Sequence, residues 1–509
     1  MQGTRDDEPD DLVPSPRGEE RMAIEKSFGQ TRTEQYLSQL CERTFLNIWA
    51  YPNPYKADGK ELCDLLVVFE SAVFLFFDRE SRRFDKPGAD VQLTWDRWKK
   101  EAITKQIQTA GGAKRYVLTN RDQIYLDAKK QVRLPLEIPV GDLRIYKIIV
   151  AHGAMEACKR ASAENVYGSL AVTYEANAAA SSRPFMVALD KDDPVHLLDT
   201  HNLEHVLGEL DTLLDLRRYF DAKESAIRRF DCLTYCGEED LLAHYFFNYD
   251  ETEQSYRIGP KEDDYNLIMI GEGEWRDFVV SRPYQRRKAA NEISYAWDKL
   301  IQKTGRNALL GTLGGNSDVF RGQSAIHEMA KEPRVSRRAL SQLMFTTINN
   351  FPDNATGPMR QMSFLPSFFN DRGYVFLQVY HPNPGDYDTE YRPGRMGMLE
   401  IACGAAKLKF PYLKKVIGIA IDAPKYASIN SEDFILMDCE NWTDAERAHY
   451  AAANEKLRFF KTDKLKERRM RVTDFPTTRA KQTGRRPGRN QLCPCGSGKK
   501  YKQCHGSNE

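Results

Sequence analysis

Near its C-terminus the chain reads Cys493-Pro-Cys495-Gly-Ser-Gly-Lys-Lys-Tyr501-Lys-Gln-Cys504-His505. Three thiols and an imidazole fall within thirteen residues. Zinc takes four such donors in a tetrahedron. Cys493 and Cys495 make a short knuckle, Gly496 and Gly498 turn the chain back, and Cys504 with His505 close the set. So short a segment has no core of its own, so its folding is expected to be coupled to metal. Left unliganded, three crowded exposed thiols would be prone to oxidation. The expected structural cofactor is Zn²⁺ on Cys493, Cys495, Cys504 and His505.

A second group of residues could do acid–base or metal chemistry. Glu34 lies in the first turn of a predicted helix, 33–49. Glu61 and Asp64 stand where an apolar run begins, close enough in sequence to share one strand end. Lys99 and Lys105 lie on a later predicted helix. His152 follows the apolar stretch Ile148 to Ala151, and a histidine at a strand end can be catalytic. With no partner evident in sequence, a plain loop histidine is the simpler reading. His201, Glu204 and His205 form His-x-x-Glu-His on a predicted helix, where Leu207, Leu210 and Leu214 argue for packing instead. Cys232 and Cys236 have no second ligand pair nearby and read as ordinary thiols. Arg334, Arg337 and Arg338 after Pro333 read as a solvated helical face. No phosphate loop of the Gly-x-x-x-x-Gly-Lys-Ser/Thr type is present, and Gly311-Thr-Leu-Gly-Gly315 lacks the lysine.

The elements that must position these groups follow from length and pattern. The 509 residues suit about two to four domains. A hydrophobic fraction of 41% and a charged fraction of 29% suit a folded protein and argue against wholesale disorder. The net charge of +1 excludes a globally basic coat but not a local patch. Residues 1–30 read as a disordered acidic tail. Residues 31–160 read as an α/β domain. Within it, Leu65 to Phe69 and Ala72 to Phe77 form a hairpin about Glu70-Ser71. A helix is predicted over 95–111, then strands over 113–118, 123–126 and 145–151. Residues 161–455 read as mixed α+β, one or two domains, with helices over 203–219 and 231–248 and a βαβ-like order after Arg372. Residues 456–488 read as a basic helix end near Met470 and a linker, and 489–509 as the zinc module. The expected fold class is α/β, mixed and multidomain, with a small C-terminal zinc-stabilised knuckle. No apolar run of about 18 residues and no secretory signal is seen, so no membrane span and a cytoplasmic location are expected.

Between Lys461 and His505 there are fourteen Lys and Arg against three Asp and Glu. Such a patch attracts phosphate backbones through counterion release. A polyanion, nucleic acid or anionic lipid, is therefore one candidate partner. An acidic protein partner and a solvated, self-repelling linker are the others.

Two resemblances sharpen this reading. The segment from Cys493 to His505 resembles the SEC-C motif, the zinc module at the C-terminus of the preprotein translocase ATPase. The likeness covers about 20 residues and fills all four ligand positions. It implies docking of a partner, not a reaction. The order of helix with Glu34, hairpin with Asp64, and helix with Lys105 is similar to the PD-(D/E)xK restriction-endonuclease-like core. That resemblance implies Glu34, Asp64 and Lys105 as a catalytic set around Mg²⁺. With the turn at Glu70-Ser71, however, Asp64 faces Phe77, and Arg79 takes the family's lysine place. Two functions stay open: a nucleic-acid-acting, nuclease-like protein in defence or repair, and a non-catalytic adaptor that docks a chaperone or secretion partner through the zinc module.

Overall fold

The computed structural model describes residues 29–476, apart from 46–48, 86–87, 89, 162–166, 177–182, 251–252, 254, 262–264, 310–323, 428–430, 462–464 and 466–471. The expected acidic tail, up to residue 28, and the zinc module lie outside the described residues. Among the described residues, no helix is long and apolar enough to cross a membrane.

The first sheet opens after helix α1 (Arg32–Phe45) with β1 (Ala50–Pro52), β2 (Leu65–Phe69) and β3 (Ala72–Glu80). Every residue of β2 and the first seven of β3 are buried. Such unbroken apolar runs belong to strands covered on both faces. The hairpin turns at Glu70, whose φ is +53°, and pairs Leu65 with Phe76 and Phe69 with Ala72. Helix α2 (Val91–Lys99), capped by Asp90, runs through a π-turn (Lys100–Thr104) into α3 (Lys105–Asn120). The strand expected over 113–118 is therefore helical. Ala110, Ala113 and Val117 are its buried residues, and their spacing is the helical period. Strand β4 (Arg144–His152) then lies parallel to β3.

After helix α4 (Met155–Ala161), a second sheet starts with β5 (Ala171–Glu175) and β6 (Met186–Asp190). The chain returns to add β7 (His196–Asp199) to the first sheet, whose order is β1-β2-β3-β4-β7. The first two neighbouring pairs are antiparallel and the last two parallel. The helix expected over 203–219 is two, α5 (Asn202–Glu209) and α6 (Leu213–Arg229), because Thr212 accepts the Asp215 amide at 3.1 Å and caps the second. The helix expected over 231–248 is strand β8 (Cys232–Cys236) followed by α7 (Glu238–Phe247). The alternating burial of Cys-Leu-Thr-Tyr-Cys fits the strand period. Strand β9 (Leu267–Ile270) completes the second sheet, in the order β9-β8-β5-β6.

The last layer follows helix α8 (Arg334–Asn349). Strands β10 (Met359–Pro366) and β11 (Arg372–Tyr380) form a hairpin. Helix α9 (Arg392–Lys409) crosses to β12 (Lys415–Asp422), parallel to β11, and β13 (Glu432–Asp438) closes the sheet. The βαβ-like order expected after Arg372 is present. Helix α10 (Asp444–Leu457) carries a capping box of Thr443 and Glu446 and ends at Arg458, whose φ is +53°. Met470, where a basic helix end is expected, lies outside the described residues.

Buried ion pairs tie these layers together. Lys223 on α6 gives Glu238 two bonds of 2.7 and 2.6 Å, with both side chains fully enclosed. Tyr219 and Tyr235 donate to the same carboxylate. Arg334 and Arg337 are not a solvated face. Arg334 bonds Asp211 and Asp298, each at 2.8 Å, and Arg337 bonds Asp298 at 2.7 Å. Removing one member of a buried pair strands the other charge, at a cost of about 3–5 kcal/mol. Lys223→Met is expected to lower the unfolding free energy by that amount in denaturant titration. Lys223→Met combined with Glu238→Gln is expected to recover part of the loss.

Candidate functional site

Asp64 sits at the entry of β2. Its amide donates to the Phe76 carbonyl at 3.0 Å, and its carbonyl accepts the Asn53 amide at 2.9 Å. Its side chain does something less usual: Oδ2 accepts the Asp78 amide at 2.6 Å. A carboxylate thus stands in for a strand carbonyl where the hairpin opens. By extension of the register, Asp64 faces Phe77, as the position of the turn requires, and Arg79 is exposed. Burial pushes the Asp64 carboxyl up to about 8; the Asp78 amide opposes this, and the charges of Glu61, Glu34 and Asp78 add to it.

Glu34 approaches the same place from α1. Thr31 Oγ1 accepts the Glu34 amide at 3.1 Å, while Glu34 Oε2 accepts the amides of Thr31 and Gln30 at 3.3 and 2.7 Å. This is a reciprocal cap, so part of Glu34 is spent on the helix start. Asn53, at φ +47°, bridges Glu34 and Glu61 through Nδ2, at 3.3 and 2.5 Å. Burial raises the Glu61 carboxyl, against the Asn53 bond, and the Glu34 charge raises it further.

The lysines do not join these acids among the described contacts. Lys105 is exposed at the start of α3, and its carbonyl accepts the Thr109 hydroxyl. Lys99 is half-buried, which lowers its ammonium pKa, and the opposing charge is Asp96. The expected set of Glu34, Asp64 and Lys105 thus has its two acids electrostatically coupled and its lysine elsewhere.

What sequence reasoning passed over is the partner of His152. At the end of β4, His152 Nε2 lies 2.8 Å from Asp78 Oδ1, and Nδ1 lies 3.0 Å from Thr200 Oγ1. Its carbonyl receives the Trp98 indole at 3.0 Å and the Ser81 amide at 3.3 Å, which fixes the backbone. The next residue, Gly153, has φ +98°, and a Cβ there would overlap the Ser81 carbonyl. Asp78 and His152 are buried; Thr200 is exposed. Asp78 Oδ2 is buried and has no hydrogen-bond partner among the described residues. In front lies a cavity of about 870 Å³, with Thr33, Glu80, Thr94, His152, Arg160 and Thr200 in its wall. It opens at the carboxyl ends of the parallel strands β3, β4 and β7, the usual place for a ligand crevice in such sheets. The only sequence signal was a histidine after an apolar strand.

The other candidates are packing groups. His201 stacks on Tyr167 at 4.6 Å and meets His205 at 4.7 Å, and burial takes its pKa down to about 4. Glu204, between them, accepts the Tyr36 hydroxyl. Cys232 and Cys236 are half-buried thiols on β8. Among the described residues, no group of three or more His, Cys, Asp or Glu gathers to hold a metal ion.

The comparisons with known proteins all fall on the C-terminus. A family model for the SEC-C motif matches residues 489–507, which contain Cys493, Cys495, Cys504 and His505. The chain is similar to the protein translocase subunit SecA of Chlorobium phaeobacteroides, 39% identical over 75 residues, covering 13% of this chain and 7% of that protein. The SecA of Alcanivorax borkumensis is 71% identical over 28 residues, covering 6% and 3%. That of Pelodictyon phaeoclathratiforme is 82% identical over 22 residues, covering 4% and 2%. The chain thus spans only a small fraction of these relatives. No solved structure matches it. The chain carries a SEC-C motif, a known zinc-binding module, on a mixed α/β protein.

Proposed function

We propose that this protein acts on polynucleotides. In this reading the first sheet carries a phosphodiester-hydrolysing site of nuclease-like type, and the zinc-bound SEC-C module docks a partner or the substrate. The observation that carries it is the buried Asp78–His152 pair, whose histidine lines a cavity, with the Asp64 carboxylate on the Asp78 amide behind it. The strand order supports it: a helix, three antiparallel strands, a helix and a parallel strand, with Asp64 at the entry of the second strand, as in the restriction-endonuclease-like core.

The donor set fits a hard divalent cation of the Mg²⁺ type. Such a cation needs one or two carboxylates and fills its shell with water and substrate phosphate. Asp78 Oδ2, buried without a partner, and the crowded Asp64 carboxyl are both groups that a cation would stabilise. When bound, the cation would neutralise charge on the phosphate. His152 takes the role expected of Lys105. With Nε2–H donating to Asp78, Nδ1 is left to accept a proton from the Thr200 hydroxyl or from a water in its place. Asp78 holds the ring and steadies the imidazolium that forms.

Labelled single- and double-stranded DNA and RNA, incubated with Mg²⁺ or Mn²⁺, test this reading. Wild type is expected to cut, and Asp64→Ala and His152→Ala to lose about a hundredfold or more in rate. No cutting by wild type sinks the reading. A binding readout separates folding from chemistry. Asp64, at about 8, must shed its proton before its charge can help to hold a cation at Asp78. Mn²⁺ affinity by calorimetry is therefore expected to rise about fivefold from pH 7 to pH 8, with proton uptake by the buffer, and to lose that dependence in Asp64→Asn. The sign for stability is opposite. A carboxyl whose pKa is raised by folding stabilises below its unfolded value near 4, and that stability is lost as pH rises through 8. Asp64→Asn is thus expected to melt higher than wild type at pH 8.5.

The SEC-C match also supports a second reading, docking of a protein partner through the module without catalysis. In both readings Cys493, Cys495, Cys504 and His505 hold zinc. Elemental analysis is expected to give one zinc per chain, and none with Cys495→Ser. A zinc content unchanged in Cys495→Ser would overturn that ligand set.

A further inference from the structure

A second cavity lies away from the acids. It is a cleft of about 2100 Å³ between the third sheet and the helices α6 and α8. One whole wall is the outer strand β10, from Met359 to Pro366. This strand pairs with β11 on one side only, so its other edge presents main-chain donors and acceptors.

Two features say what the cleft would hold. The first is charge. Arg360, Lys409 and Arg458 lie on its wall and are exposed. Arg360 and Lys409 make no ion pair with a carboxylate among the described residues. The nearby acids are occupied: Glu253 faces Arg257 and Lys261, and Asp474 holds Arg287 and the Tyr256 hydroxyl. The second is rings. Phe364 and Phe410 stack with centroids 4.5 Å apart, and Phe460 meets Phe410 edge-on at 5.8 Å. All three line the cleft and remain half-buried. Phe364 lies against Gly373, where a Cβ would overlap its ring, so the backbone is cut away to seat it. Arg218 and Arg360 each cover a further ring, Phe368 at 5.1 Å and Phe459 at 5.0 Å.

Cations that follow a phosphate chain, rings for bases, and a strand edge for base hydrogen bonds form the chemistry of a single-strand groove. A duplex has its rings stacked internally and offers them to no side chain. We infer that this cleft binds single-stranded nucleic acid. The inference rests on the reading that the protein acts on polynucleotides, and adds a seat that is separate from the cavity at His152.

The test is fluorescence anisotropy of the full-length, zinc-loaded protein with fluorescein-labelled dT20 and with a 20-base-pair duplex, in buffer without Mg²⁺ or Mn²⁺ so that no cleavage occurs. The single strand is expected to bind at least tenfold tighter than the duplex. Arg360→Glu with Lys409→Glu is expected to lose at least tenfold for dT20, and the slope of log affinity against log salt is expected to fall by about 1.4. A second readout does not depend on variants: photocrosslinking of 5-iodouracil-substituted dT20 is expected to label peptides holding Phe364, Phe410 or Phe460. Equal binding of duplex, or unchanged affinity in the double variant with crosslinks confined to residues beyond Lys461, would overturn the inference. Binding of an acidic peptide such as decaglutamate at this site, with dT20 unbound, would overturn it in favour of a protein partner. Cleft binding without cleavage would retain this inference and sink the catalytic reading; cleavage without cleft binding would do the reverse.

Discussion

The hydrogen bond from the Asp78 amide to the Asp64 carboxylate is the constraint on which the site depends. It ends the β2–β3 ladder with a side chain instead of a carbonyl. Because strand side chains alternate, the register that pairs Leu65 with Phe76 decides which groups reach the open end of the sheet. Asp78 meets His152 because β3 and β4 pair Glu80 with His152, which puts Asp78 on the same face. The apolar run that fixes this register, buried on both faces, is thus what sets the polar chemistry at its end.

The same end gathers its groups from far apart in sequence. Asp78 and His152 lie on parallel neighbours, β3 and β4, and Thr200 follows β7. Burial makes each contact stronger than it would be in water, and also makes an unmatched carboxylate costly. That cost is visible in the raised Asp64 carboxyl and in the partnerless Asp78 oxygen. A site that is electrostatically incomplete on its own is one that a cation or a substrate would complete.

Much of this was legible in sequence, and the limits have physical causes. The hairpin, its turn and the opposition of Asp64 to Phe77 follow from two apolar runs and period two. The SEC-C motif is local in sequence, so it can be read directly. Residues 113–118 were misread because β-branched and aromatic residues there sit on a helix held by tertiary packing. Arg334 and Arg337 looked solvated because their acids, Asp211 and Asp298, lie 123 and 36 or 39 residues away. Asp78–His152 was missed for the same reason, at a separation of 74 residues. Pairing of parallel strands leaves no local trace.

The proposed site turns on a divalent cation at Asp78 beside His152, with Asp64, on the other face of the strand pair, adding its charge. Anomalous diffraction from crystals of the full chain soaked in Mn²⁺ tests it most directly. A peak is predicted about 2.1–2.3 Å from Asp78 Oδ2, and none in crystals of Asp78→Ala. A map with no peak there at saturating Mn²⁺, or with the ion elsewhere, would contradict it.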